Sequence, residues 1–202
     1  MADKDLDRRA GALDDTLWGH KWGFKDTRFV VRPDRSVYVT GSRYAISGPD
    51  MPDFIPFAEE MLQIKFDLAD LKPERQDKPV PPPRVNPAFA RALAEAFPAT
   101  QVSQDDDERL LHSHGQTTAD EVYKVLYGAL ERVADLVFYP ESEADAERIV
   151  LLAQTHNVVL VPYGGGTSVS AALKLPADED RMIVVVDMRR MNSIEWIDRE
   201  NY

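Results

Sequence analysis

The sequence predicts an α+β protein, a mainly helical N-terminal region that opens with a short hairpin and is followed by an α/β unit. Three observations carry that expectation. Phe29 and Val31, then Val37 and Val39, alternate with polar neighbours on either side of Pro33-Asp34-Arg35-Ser36, the period-two pattern of a hairpin. From about residue 53 to 130, apolar residues recur at helical spacing, with Phe54, Phe57, Phe89 and Phe97 as aromatic anchors. From about residue 133, short continuous apolar runs alternate with a helical stripe, the pattern of parallel strands joined by a crossover helix. The change of pattern divides the 202 residues into 1–132, with the hairpin, the helices and a proline-rich connector, and 133–202, the α/β part.

Taken in order, the chain opens with a polar stretch that holds one aromatic knot, Trp18-Gly19-His20-Lys21-Trp22-Gly23-Phe24. The hairpin follows, then Thr40-Gly41-Ser42-Arg43-Tyr44-Ala45-Ile46-Ser47-Gly48, a loop with two glycines. A helix is expected from Asp53 to Phe66, where Phe54, Phe57, Ala58, Met61 and Leu62 form one stripe. Six prolines between residues 73 and 87 make an extended connector. Asn86-Pro87 is an N-cap with proline at the first helical position, and Phe89, Leu93 and Phe97 mark the helix that follows. Two more helices are expected, Asp105 to His114 and Ala119 to Leu130, the second opened by the capping-box pattern Thr118-x-x-Glu121. The α/β part reads as strands at 136–140, 158–162, 182–187 and 194–197, with a helix capped by Ser142 between the first two.

Composition removes whole classes of function. Without cysteine there are no disulfides, zinc-thiolate sites, iron–sulfur clusters or thiol nucleophiles. A net charge of -11 repels nucleic acid and anionic lipid, and no basic run exceeds two residues. No run approaches the ~20 apolar residues of a membrane span, and the N-terminus lacks the apolar core of a secretory signal. The expected setting is therefore cytoplasmic, with no nucleic-acid partner and no transmembrane segment.

The strongest local signal is Pro162-Tyr163-Gly164-Gly165-Gly166-Thr167-Ser168 at the end of a buried strand. Three consecutive glycines cost backbone entropy. They can turn successive N–H groups inward as a nest for an anion, and they let a phosphate oxygen approach the main chain. The alternative is a flexible turn between strands. The pattern is neither a Walker loop, lacking Gly-Lys-Ser/Thr, nor a dinucleotide fingerprint, because Val169 stands where a third glycine belongs. His112 and His114, two apart on a helix, point to different faces and make a poor metal pair. His156 is expected to meet helix-terminal carbonyls, His20 belongs to the aromatic knot, and the run Asp105–Glu108 suits a helix N-terminus. No catalytic constellation and no metal site follow from spacing.

Residues 135–196 resemble the first half of the FAD-binding domain of the vanillyl-alcohol oxidase family, also called PCMH-type. The segment Pro162 to Ser168 matches that family's Pro-x-Gly-Gly-Gly-Thr-Ser loop, and Asp187, Met191 and Asn192 match a later motif. Within the family the chain is similar to the alkylglycerone-phosphate synthases. This likeness rests on Gly164–Ser170, Pro176–Glu179, Trp18-Gly19 with Gly23-Phe24, Thr40-Gly41-x-Arg43-Tyr44-x-x-Ser47-Gly48, Asp107-x-Arg109 and His114-Gly115. Gln116 departs from it, since a second histidine follows His-Gly in the synthase pattern.

The resemblance implies a PCMH-type fold for 133–202 and FAD held by Pro162, Tyr163, Gly164, Gly165, Gly166, Thr167 and Ser168. Thr167 stands where some relatives carry the histidine that bonds the flavin, which implies non-covalent FAD. In the synthases the acyl group of acyl-dihydroxyacetone phosphate is exchanged for a fatty alcohol, a step of ether-lipid synthesis without net oxidation. In oxidase relatives the flavin accepts hydride from an alcohol or 2-hydroxy acid. A lipid-type small-molecule substrate is implied, and a homodimer is compatible with it. No catalytic residue of the family falls on these positions. The chain is expected to be the N-terminal portion of a longer protein, inactive alone and weak in FAD binding or without it. A non-catalytic fragment is the remaining reading.

Overall fold

The computed structural model describes residues 17–18, 22–70, 79–194 and 196–200. They form two compact units, the described residues up to 70 in one and those from 79 onward in the other. His20 lies outside the described residues.

The first unit is built on the hairpin. Strands β1 (Phe29–Val31) and β2 (Val37–Val39) pair antiparallel, Phe29 opposite Val39 and Val31 opposite Val37. The turn is closed by the Arg32 amide on the Ser36 carbonyl, with Arg35 at φ 70° and the Asp34 carboxylate accepting from the Ser36 amide and hydroxyl. A third strand, β3 (Asp50–Met51), pairs with β2, so the two-glycine loop returns to the sheet. Two motifs of the resemblance meet here. Arg43 lies over the Phe24 ring, 3.7 Å from its centroid, and forms an ion pair with Asp26 at 3.4 Å. Gly41, at φ +76°, sits where a Cβ would approach the Asp26 carbonyl to 2.7 Å.

Helix α1 (Phe54–Leu62) is shorter than its stripe suggests, because Gln63 turns left-handed at φ 55°. It also buries a different face. Ile55 and Glu59 point inward, while Phe54, Phe57, Met61 and Leu62 are exposed. The Glu59 carboxylate decides the orientation: it pairs with Arg35 and Lys65 and accepts the Phe66 amide at 2.9 Å.

The second unit is a four-stranded sheet in the order β4 (Val102–Ser103), β5 (Leu136–Phe138), β7 (Ile183–Asp187) and β6 (Val159–Tyr163). Strands β5, β7 and β6 run parallel, and β7 lies between the other two. The short β4 adds an antiparallel edge that sequence reading missed, since two residues carry no period. Helices α2 (Pro87–Ala96), α3 (Asp106–Leu111), α4 (Ala119–Tyr127) and α5 (Glu143–His156) belong to this unit. The first three lie upstream of residue 132, and α2 and α3 pack with the sheet. The caps of α2 and α5 form as expected, from Asn86 and Ser142, and Asn157 ends α5 at φ 54°. His156 meets no helix carbonyl but packs edge-on to Phe89.

Alternation along β7 separates two cores. Val184 and Val186 face Phe89 and Leu93 of α2, Ile149 and Ala153 of α5, and Phe97 and Phe138 beside them. Ile183 and Val185 face Ala134, Tyr163, Leu173 and Leu175. Each fully buried Val, Leu or Phe contributes on the order of 1.5–3 kcal/mol. The expected strand at 194–197 does not form: Ile194, Trp196 and Ile197 are exposed and unpaired among the described residues, because no neighbouring strand satisfies their backbone groups.

Asp135, fully buried, ties this unit together. Its carboxylate accepts the amides of Arg84 and Ile183, each at 2.7 Å, and a two-pronged contact from the buried Arg132 guanidinium. Removing it in Asp135→Ala strands a buried cation and two amides, at a cost of about 3–5 kcal/mol. Urea unfolding followed by signals of β5–β7 should show that loss, and a change below about 1 kcal/mol contradicts the assignment.

The first unit should be acid-sensitive through Glu59. The Lys65 hydrogen bond first, and the Phe66 amide next, hold its carboxyl at about 2 against an ordinary 4.5. A folded value below the unfolded one means a contribution that is complete above pH 4.5 and lost as pH falls towards 2. In Glu59→Gln the amide signals of β1–β3 should lose that pH-dependent part of their stability. An unchanged acid profile contradicts it.

Candidate functional site

The site lies where the parallel strands end. Open α/β sheets present ligand-binding loops beyond the carboxyl ends of their strands, and Tyr163, the last residue of β6, leads directly into Gly164. Pro162 is an exposed residue of β6, opposite Val186 of β7. The Tyr163 side chain is buried, so this residue can face a ligand only through its backbone. Gly164, Gly165 and Thr167 are exposed, Gly166 is buried, and Ser168 is half-buried.

The loop is pinned by its carbonyls. The Gln116 amide donates to the Gly166 carbonyl at 2.7 Å. The hydroxyls of Thr117 and Thr118 donate to the Ser168 carbonyl at 3.0 and 3.2 Å. In a planar trans peptide the N–H points opposite to the C=O. The Thr167 and Val169 amides are thereby aimed away from residues 116–118. Among the described residues, no amide from Gly164 to Ser168 donates a hydrogen bond. The Ser168 hydroxyl is engaged within the loop, accepting the Ala172 amide at 3.2 Å.

The three glycines have different reasons. Gly166 alone adopts a positive φ, +69°, and the Tyr163 hydroxyl occupies the place its Cβ would need. Gly164 has no atom within 4 Å of a Cβ position, and Gly165 has only Thr167 Cγ2, at 3.7 Å. Side chains there would be tolerated by the protein itself, so the open face above Gly164 and Gly165 is available to a ligand. Open space and unengaged amides together fit a pyrophosphate.

The wall behind the loop was not visible in the sequence as a site. Thr118 opens α4 but forms no side-chain cap, because its hydroxyl is directed to Ser168; the expected capping box is therefore absent. Glu121, freed from that role, is buried next to Gly115, where a Cβ would come within 3.0 Å of Glu121 Oε2 and 3.3 Å of the Ser168 carbonyl. Glycine at 115 thus permits the start of α4 to approach the loop. His114 is buried with Nδ1 at 2.9 Å from the Gly115 carbonyl, and burial holds its pKa below the ordinary value.

His112 is buried at the end of α3. Its Nδ1 lies 2.7 Å from the Glu108 carbonyl and its Nε2 2.7 Å from Asp187 Oδ2. Arg189 shares that carboxylate oxygen through Nε at 2.7 Å, and its amide donates to Asp187 Oδ1. Burial opposes ionisation of Asp187, but the His112 hydrogen bond and the Arg189 contacts outweigh it and keep the carboxyl below its usual range. The Tyr163 ring packs on His112, with centroids 4.6 Å apart. Asp187 belongs to the resemblance motif, but spacing gave no sign that His112, 75 residues away, would meet it.

Comparison with known proteins places this geometry. Residues 134–202 match the family model described as the FAD binding domain, which indicates FAD as the cofactor. The chain is 35% identical over 188 residues to an alkyldihydroxyacetonephosphate synthase of Caenorhabditis elegans, covering 93% of this chain and 31% of that protein. Proteins of the same name from Dictyostelium discoideum and Trypanosoma brucei brucei are 31% and 32% identical, covering 89% and 90% of this chain and 30% of each. A solved structure described as alkyldihydroxyacetonephosphate synthase in P1 superposes with a TM-score of 0.75 at 29% identity, over 91% of this chain and 34% of that one. The chain thus spans about a third of the length of the curated relatives it matches. No helix among the described residues is long and apolar enough to cross a membrane.

Proposed function

We propose that residues 133–202 form the first half of an FAD-binding domain in an enzyme of the alkylglycerone-phosphate synthase kind, which exchanges the acyl group of acyl-dihydroxyacetone phosphate for a fatty alcohol. The observation that carries this reading is the loop from Gly164 to Ser168: amides without acceptors among the described residues, at the end of a parallel strand, inside the segment that matches an FAD-binding domain. Pro162 and Tyr163 set the height of the loop, and Gly164 to Ser168 hold the pyrophosphate. FAD, when bound, supplies the electron-accepting and nucleophilic ring on which both synthase and oxidase chemistry rest. The chain's own contribution is to bind and orient the phosphates through neutral donors. Thr167 offers no imidazole for a flavin bond, which supports non-covalent attachment.

A second reading, an FAD-linked alcohol or 2-hydroxy-acid oxidoreductase, is favoured by Gln116. It stands where the synthase pattern has a histidine, and its amide touches the loop. Anaerobic addition of a fatty alcohol together with acyl-dihydroxyacetone phosphate to the FAD-loaded complete protein separates the two readings. The synthase reading expects product with the flavin still oxidised, and the oxidoreductase reading expects bleaching.

Gly165→Val tests the placement of the ligand. The position tolerates a Cβ in the free protein, so the variant should keep the circular dichroism and unfolding midpoint of the wild type. FAD affinity of the complete protein should fall at least tenfold, about 1.4 kcal/mol. Wild-type affinity in a folded variant refutes the placement.

A further inference from the structure

The glycine loop contains no cation, and the structure supplies one from behind it. We infer that His112 is held as a buried imidazolium and is a positioning residue for the anion at Gly164–Ser168, an inference that rests on the reading of that loop as a pyrophosphate site. The argument starts from donors and acceptors. A backbone carbonyl can only accept, so the His112 nitrogen 2.7 Å from the Glu108 carbonyl must carry a proton. A carboxylate can only accept, so the nitrogen 2.7 Å from Asp187 Oδ2 must carry one too. Arg189 Nη2, 3.3 Å from the same nitrogen, is itself a donor, and its guanidinium keeps Asp187 ionised. Both ring nitrogens are therefore N–H, and the ring is cationic.

Charge counting then gives the consequence. His112 and Arg189 share the Asp187 carboxylate, and the second positive charge faces the Glu108 carboxylate at the end of α3. Without His112 the end of β7 would carry more carboxylate than cation, because a neutral phenol does not offset the charge of Glu108. The Glu108 carboxylate, on the same helix, is engaged with the Tyr139 hydroxyl at 2.9 Å, and Arg190, over the Tyr139 ring, pairs with Glu141. Tyr139 meets the imidazole edge-on from the end of β5, and Tyr163 packs on it from β6; both are neutral phenols whose ionisation burial disfavours. His114, the nearest other imidazole, is disfavoured as a cation by its burial.

The charge reaches the loop through one side chain. Tyr163 has His112 on its ring and Gly166 against its hydroxyl. His112 thus holds the Tyr163 ring, and Tyr163 holds the left-handed turn at Gly166. This arrangement supplies positive charge without a side chain in the loop, where a lysine or arginine would occupy the space the phosphate needs.

The test has two arms. Nitrogen NMR of the histidine rings in the ligand-free chain at pH 7 should show both His112 nitrogens protonated, and a single neutral tautomer overturns the inference. Titration with FAD is then compared among wild type, His112→Gln and His112→Arg. Loss of one partly screened charge should weaken binding on the order of tenfold in His112→Gln. His112→Arg, which keeps the charge, should recover most of that loss. Equal affinity of the folded Gln variant and the wild type overturns the inference. So does a failure of Arg to rescue while its NMR spectrum shows the native loop. Absence of saturable FAD binding by the complete wild-type protein overturns the loop reading itself, and with it the role assigned to His112, whereas the NMR arm reports on the cation alone.

Discussion

The carboxyl end of the sheet is organised by what happens to two carbonyl oxygens. Gly166 and Ser168 turn theirs towards residues 116–118, where an amide and two hydroxyls receive them. Peptide planarity then leaves the opposite edge of the loop lined with N–H groups. A loop of three glycines would otherwise sample many conformations at an entropic cost of about 1–2 kcal/mol per residue when fixed. Three hydrogen bonds from outside the loop provide the order that its own sequence cannot.

That pinning requires α3, α4 and the sheet to be held in register, and buried charges hold them. Arg109, fully buried, donates to the Ala134 carbonyl at 2.8 Å and the Pro81 carbonyl at 2.7 Å, so α3 is fastened both to the proline-rich segment and to the residue before Asp135. Ser113 continues the same line, its hydroxyl donating to the Arg109 carbonyl and accepting the Ala134 amide. From Ser113 the chain has three residues to reach Gln116. Arg109 and Gly115 of the resemblance motif thus brace the glycine loop from behind.

Much of this could be read in advance, and the exceptions have physical causes. The hairpin, the Asn86-Pro87 and Ser142 caps, and the buried strands follow from periods and capping chemistry that act locally. The seven residues from Pro162 to Ser168 stood out because three glycines at a strand end have few structural excuses. The loop's walls could not be found that way. Thr118 looks like a capping residue in sequence and becomes a loop anchor only because Ser168 competes for its hydroxyl. His112 and Asp187 are far apart in the chain, and only the position of β7 between β5 and β6 brings them together. The stripe on α1 misled because hydrophobic periodicity ignores ion pairs: Glu59, with Arg35 and Lys65, determined which face turned inward. The run at 194–197 has strand composition but no strand beside it among the described residues.

The central claim is that the N–H edge of the glycine loop is the phosphate-binding surface of an FAD site. Titrating the nitrogen-labelled chain with FAD, and separately with riboflavin, which lacks the pyrophosphate, tests it most directly. The account predicts that FAD shifts the amide signals of Gly164, Gly165, Thr167 and Val169 saturably, while riboflavin leaves them in place. Shifts of equal size with both ligands, or FAD-induced shifts confined to residues away from this loop, would contradict it.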